Sequence, residues 1–517
     1  MLGVVADDRS GPYWVVLVLL LAAGLRLLFF PGFFGSDDLS YTYAAFNIAH
    51  GRWIVSPYVG AMRFGINLPV ALSALLFGFN AFAAALWCFG CSIAEIAVVY
   101  WIGRRLWGRR AGLLAALLLA LAPLHIHYAG RLMADPPWAL FITLSLGCFL
   151  LAERTGKPWL YLASGLAAGA VLWIKEATVI FAGVFLLHAL LVRTWRPAWW
   201  LVLLGGALMV AAHLAFFAVL TGNPFYVPAI MAKAVTSLYD DTSALRAAMP
   251  INAGALHYWW KLFIAIDQTW LLGPAALLAA LALGWRWRRG ERDAAAGFLL
   301  LWGLGLLLIF SFFPIRLSPL SFIMKQNNYM VIFLAPLALL AAWWLARLPR
   351  TWAALGVLAM ALGALPLAAL SQQSVRVFTG NSKAALAFAV AHPEAHVFGG
   401  RNAENYSEYR MLVASPAPQI FPLEMLADDR SPVRYVVVDQ ETQSWDLPGG
   451  RLRAVPDCWQ AVAKLEPEGF GAGWFVARAL QAAVGRFSRR LDGLVLPKPA
   501  TVFEIPATCA LPPGTIE

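Results

Sequence analysis

The chain has 517 residues, of which 61% are hydrophobic and only 13% charged, with a formal net charge of +11. A soluble protein of this length needs far more charge to cover its surface, and the mean hydropathy of +0.69 excludes that class. The positive charge sits mostly in short loops between apolar runs, where it sets topology, so it is not a nucleic-acid footprint.

Apolar stretches near 20 residues recur along most of the chain, which predicts a polytopic α-helical membrane protein. The alternation needed for a membrane barrel is absent. The first run, from about Tyr13 to Phe30, lacks a basic leader region and a small-residue cleavage site, so it reads as a retained helix. About eleven spans follow the apolar pattern, at roughly 13–31, 69–103, 111–127, 136–153, 158–174, 177–193, 198–221, 270–287, 295–313, 329–347 and 351–370.

Arg104, Arg105, Arg109, Arg110, Arg154, Lys157, Arg193, Arg196, Arg286, Arg288, Arg289, Arg292, Arg347 and Arg350 then fall on one side, which is predicted to be cytoplasmic. That count puts the N-terminus inside and three longer connections outside, at 32–68, 222–269 and 313–329. Everything after about Ser371 is also outside. The localisation predicted is a multi-pass inner membrane protein. The composition changes near Ser371, giving two domains, 1–370 in the membrane and 371–517 outside it. In the second, helices are expected at Ser382–His392 and Asn402–Val413, and strands at His396–Gly400, Val433–Val438 and Gly473–Leu480, hence a small α/β domain. Cys458 and Cys509 fall there and can pair if the compartment is oxidising, whereas Cys88, Cys91 and Cys148 read as packing residues.

Asp37 and Asp38, in FFGSDDLSYTY, stand where the first span meets the outside. They read either as caps of a short helix or as a reaction centre, one acid facing the chemistry and the other holding backbone or a basic group. Arg63, Arg131, Lys175, Lys233, Arg246, Lys261, Arg316 and Lys325 run against the positive-inside trend; snorkelling to lipid headgroups explains some of them, and a converging cluster would instead bind an anion such as a lipid phosphate. Asp135, Glu176 and Tyr329 lie beside them in sequence. His125-x-His127 invites a divalent-metal reading, but a lone short-spaced pair is more often polar packing, and no cofactor is firmly expected.

FGSDDLSYTYAAFNIAHG resembles the first external loop of GT-C membrane glycosyltransferases, closest to the branch of protein O-mannosyltransferases and lipid A aminoarabinose transferases. RFGINLPVALSALLFGFNAFAA, GRRLWGRRAGLL, AGRLMADPPWALFITLSL, LASGLAAGAVLWIKEATVIF and KQNNYMVIFLAPLALLAA follow in the family's order, covering about residues 13–350. The acid pair is Asp-Asp where the family also has Asp-Glu, and Glu176 follows Lys175.

The resemblance implies an inverting glycosyltransferase. It would move a sugar from a polyprenyl-phosphate donor to a hydroxyl of a lipid, glycan or protein acceptor on the external face. On that carry-over Asp37 is the base and Asp38 the supporting acid. Asp135 shapes the acceptor or base environment, and Glu176 joins the substrate-binding set beside Lys175. Lys175, Arg131 and Lys325 are phosphate ligands with Tyr329 adding a hydroxyl, and Arg63 and Arg316 are further candidates. The competing class is a lipid transporter or flippase, which places charges deep within spans; Arg26 and Glu95 are the main such residues here. The C-terminal domain is expected to bind acceptor or a partner.

Overall fold

Backbone polar groups cannot be left unpaired in hydrocarbon, so the apolar runs become helices, and in the computed structural model the described residues between 11 and 391 are helical apart from connections and one hairpin. The structure describes residues 11–176, 178–193, 195–239, 254–318, 320–413, 419–443, 446, 450–467, 471–484, 489–509 and 514–516. Arg246 and part of the connection 222–269 lie outside the described residues.

The helices are α1 (Gly11–Leu28), α2 (Asp37–Ala49), α3 (Phe64–Phe77), α4 (Ala81–Trp107), α5 (Arg109–Ala120), α6 (Pro123–Ala129), α7 (Asp135–Thr155) and α8 (Pro158–Ala170). They continue with α9 (Thr178–Val192), α10 (Trp200–Thr221), α11 (Tyr226–Tyr239), α12 (His257–Phe263), α13 (Ile266–Thr269), α14 (Leu272–Arg288), α15 (Ala294–Phe312), α16 (Val331–Leu345) and α17 (Arg350–Ala391). Among the described residues six helices are long and apolar enough to cross a membrane, or seven if the pair α5 and α6, bent by 63°, is one span. Shorter apolar helices at Tyr13–Leu28, Phe64–Phe77, Pro158–Trp173 and Ile180–Val192 stand beside them.

The stretch 69–103, expected as one long span, is instead α3 and α4. Gly78 at φ +81° and Asn80, whose side chain accepts from the Ala83 amide, break it. Both ends of α3 lie toward one end of the bundle. Gly65 packs on Trp173 beside Lys175, and the Phe79 carbonyl accepts from Tyr409 of the C-terminal part. A 14-residue helix is about 21 Å long, too short to cross.

α16 is apolar all round and almost wholly buried, so it forms the centre of the bundle, while α1 and α10 turn Leu17, Leu20, Leu203 and Val219 outward. At the opposite end from the soluble domain the basic turns meet. Arg154 donates to the Leu106 carbonyl, Arg110 to Leu348, and Arg347 pairs with Asp293 at 3.4 Å.

Inside the bundle, Arg26 of α1 donates to Ser92 (2.7 Å) and to His125. His125 in turn meets Glu95 at 3.0 Å, and Thr143 donates to Glu95 at 2.8 Å. All five side chains are at most 2% exposed. The network ties α1, α4 and α7 to the bent α6, and the bend follows from Pro123, which has no amide hydrogen to continue α5.

α17 is a single 42-residue helix that carries the chain through position 371 and into the C-terminal part. That part adds β3 (His396–Gly399), α18 (Arg401–Val413), β4 (Ile420–Pro422), β5 (Arg434–Val438), β6 (Gln460–Leu465), α19 (Ala472–Val484), α20 (Arg489–Val495) and β7 (Ala500–Glu504). The hairpin strands β1 (Pro314–Leu317) and β2 (Leu320–Phe322) belong to the membrane part. The five-stranded sheet runs β4-β3-β5-β7-β6, parallel among its first three strands and antiparallel about β7. Cys458 and Cys509 form a disulfide with Cα atoms 5.8 Å apart.

The segment Gly473–Leu480, expected as a strand, is helical. Gly473 lies against the Ala369 carbonyl of α17 and Ala477 is fully buried, a helical spacing that a short apolar run conceals.

Candidate active site

α2 starts at Asp37, so its two acids occupy the first turn, where the helix dipole favours negative charge. Their surroundings differ sharply. Asp38 is 2% exposed and accepts from the backbone amides of Phe34, Gly35 (3.1 Å) and Ser36 (2.8 Å). Burial pushes its carboxyl up from the ordinary value, while Arg131 and those amides pull against that. Asp37 is exposed and accepts from the Tyr58 hydroxyl at 2.7 Å. An acid saturated by backbone amides holds a loop in shape, whereas an exposed one retains lone pairs for a proton.

Around the acids lie two ion pairs. Arg63 grips Glu176 with two bonds, 3.0 and 2.8 Å, and donates to the Tyr41 hydroxyl. Lys175 meets Asp135 at 2.6 Å, and its ammonium stands 3.8 Å from the Tyr329 ring centre and 4.7 Å from that of Trp138. The other Asp135 oxygen accepts from Asn328 at 2.9 Å. Desolvation lowers Lys175 from the ordinary lysine value against the pull of Asp135. Asp37, Arg63, Asp135 and Glu176 all reach Tyr329 electrostatically, so these residues share one neighbourhood.

Two further cations lack such a partner. Arg131 is 9% exposed, lies 4.2 Å from the Phe34 ring centre and has its Nε unpartnered. Lys325 is 4% exposed and donates to the Ser311 carbonyl at 3.1 Å; desolvation lowers it to about 8. Among the described residues no carboxylate pairs with either. Tyr258 and Trp259, from the connection 222–269, bind Gln326 and Ser311 beside Lys325 and cover this side.

The structure thus gathers Asp37, Arg63, Asp135, Lys175, Glu176 and Tyr329 in one place, with Asp38 and Arg131 joined to it through the 33–38 loop. Arg316 lies on the β1–β2 hairpin, where its Nε donates to the Ser318 carbonyl at 3.0 Å. Both His125 nitrogens are engaged by Arg26 and Glu95, and among the described residues no three His, Cys, Asp or Glu are grouped to hold a metal. Tyr58, Tyr41, Trp138 and Asn328 escaped the sequence reading. Asn328 alone carried a signal, lying between Lys325 and Tyr329.

Residues 64–221 match a family model described as dolichyl-phosphate-mannose-protein mannosyltransferase. An undecaprenyl phosphate-alpha-4-amino-4-deoxy-L-arabinose arabinosyl transferase of Yersinia enterocolitica is 30% identical over 165 residues. That match spans 30% of this chain and 28% of the relative. ArnT of Cupriavidus metallidurans, solved with undecaprenyl phosphate bound, superposes with a TM-score of 0.57 at 16% identity, covering 98% of this chain and all of that one. The Archaeoglobus fulgidus oligosaccharyltransferase superposes with a TM-score of 0.53 at 16% identity, covering 84% of this chain and 71% of that one. The fold is the GT-C fold.

Proposed function

We propose, starting from a GT-C chain that resembles the protein O-mannosyltransferase and lipid A aminoarabinose transferase branch, that this protein is an inverting glycosyltransferase using a polyprenyl-phosphate-linked sugar. The observation that carries the reading is the pairing of an exposed carboxylate, Asp37, with two buried, uncompensated cations, Arg131 and Lys325. The Yersinia relative is named for an undecaprenyl phosphate-linked aminoarabinose, and the Cupriavidus neighbour was solved with undecaprenyl phosphate bound, which fits that charge pattern.

In the proposed reaction Asp37 takes the proton of an acceptor hydroxyl as the hydroxyl oxygen bonds to the anomeric carbon. The bond from that carbon to the phosphate oxygen breaks, and the electron pair leaves with the phosphate. Arg131 and Lys325 hold the charge that develops there, each worth more in a dry site than in water. Asp38 fixes the loop, and the Lys175–Asp135 and Arg63–Glu176 pairs keep the walls in place. Deep charges would favour a transporter, but Arg26 and Glu95 are bound into one sealed network rather than aligned along a path.

The site and the C-terminal domain are assigned to the external face of a bundle of about eleven spans. Support comes from the basic turns gathered at the other end and from the Cys458–Cys509 disulfide. The test is Asp37→Asn, assayed with a radiolabelled sugar on undecaprenyl phosphate. Transfer is expected to fall by about 10²–10⁴-fold while folding and lipid binding persist. Undiminished transfer removes Asp37 from the role of base, and no transfer by the unaltered protein from any polyprenyl-phosphate donor removes the enzymatic reading.

A further inference from the structure

The loop Phe33–Ser36, which leads into the acids, is held on two edges. Its amides at Phe34, Gly35 and Ser36 go to Asp38, as described. Its carbonyls go elsewhere, to α18 of the C-terminal domain. Tyr406 donates its hydroxyl to the Phe33 carbonyl at 2.6 Å. The Asn402 amide donates to the Phe34 and Gly35 carbonyls, both at 3.0 Å, and Asn405 donates to Gly35 at 2.8 Å. Each of the three successive peptide groups from 33 to 36 therefore has its N–H bound by Asp38 and its C=O bound by α18.

The fit is close. A Cβ on Gly35 would lie 2.4 Å from the Asn402 amide nitrogen, and the residue sits at φ +88°, so only glycine is tolerated there. α17 adds a second support. Phe34 stacks on Phe378 with centroids 4.5 Å apart, and Gln372 donates to the Leu28 and Phe30 carbonyls. Asn402 and Tyr406 are 3% and 5% exposed, so these bonds are made out of water, where a donor removed leaves a carbonyl unpaired.

We infer that Asn402, Asn405 and Tyr406 are positioning residues for the reaction centre: the soluble domain sets the backbone from which Asp37 projects. Asp38 is the membrane-side half of the same clamp. The domain is thereby a structural part of the site rather than an appended module. The inference rests on the reading of Asp37 as base, but its first test does not.

Hydrogen exchange at the amides of Phe34, Gly35 and Ser36 is measured in the full-length protein in detergent, comparing the unaltered chain with Asn402→Ala/Tyr406→Phe. Exchange is expected to quicken by about tenfold or more at those amides, as for a local opening, with the thermal midpoint and undecaprenyl phosphate affinity held. Asn405→Asp is the second variant, because it keeps the size of the side chain and replaces its donor with an acceptor facing the Gly35 carbonyl. It is expected to quicken the same amides. Unchanged exchange in both variants overturns the inference, as does equal quickening across α17 and the sheet, which marks general unfolding. In transfer assays the same variants lower kcat and leave the donor KM in place. A lowered donor affinity instead overturns the positioning role, while an unaltered protein inactive with every donor overturns only the proposed reaction.

Discussion

Arg26 and Arg131 are buried arginines in one bundle, and they teach opposite lessons. Arg26 is answered within the protein, by Ser92, by His125 and through it by Glu95. Arg131 has aromatic faces at Phe34 and Tyr128 and a 3.4 Å approach to His127, but no carboxylate pairs with it among the described residues. A satisfied charge network fixes where helices sit. A cation buried without its counter-ion lowers stability and waits for an anion from outside. The same residue type therefore marks architecture in one place and a binding site in the other.

Substitutions should move the two regions in different directions. Glu95→Ala strands Arg26 in the bundle and is expected to cost about 3–5 kcal/mol of stability. The denaturant midpoint in detergent checks it, and Arg26→Met/Glu95→Ala should lose less than the two single changes summed. Arg131→Met is expected to weaken undecaprenyl phosphate binding by about 10–100-fold, the worth of one or two charge-assisted bonds. Its stability should hold or rise, since an unpaired charge is removed. A matching loss of stability would make Arg131 architectural, like Arg26.

The smallest effect concerns pH. Lys325, lowered to about 8 by desolvation, is an ammonium below that value and neutral above it. Phosphate affinity should fall as pH rises from 7 to 9, and Lys325→Arg should flatten the profile. A wild-type profile flat over that range would remove Lys325 from phosphate binding.

Much of the helical bundle was legible because an apolar run of span length has few alternatives in lipid. The break at Gly78 was hidden, since one glycine at positive φ and one capping asparagine, Asn80, are all that interrupt an otherwise apolar run between α3 and α4. The Gly473–Leu480 part of α19 was misread as a strand for a related reason: an eight-residue run with Arg478 as its one charge satisfies both periods. At the site, the acids and bases announced themselves by sitting at span ends. Their partners did not, because Arg63 and Glu176 are 113 residues apart and Asp135 and Asn328 are 193 apart. That the loop amides reach Asp38 and leave Asp37 exposed could not be read from the local pattern, although the family resemblance implied Asp38 as the supporting acid. The hold of Asn402, Asn405 and Tyr406 on the loop spans some 370 positions and left no trace in local pattern.

The unbroken α17 has a practical consequence. At 42 residues it is about 63 Å long, roughly twice the thickness of hydrocarbon, so the same rod that crosses the bilayer also forms the floor of the sheet domain. Cutting or grafting near residue 371, where the composition shifts, severs a helix in mid-course and frees the Phe378 face on which Phe34 rests. A transplant of the C-terminal domain between relatives would have to carry the rod with it, and with the rod comes part of the Phe33–Ser36 loop's support. Bundle and C-terminal domain therefore have to change together.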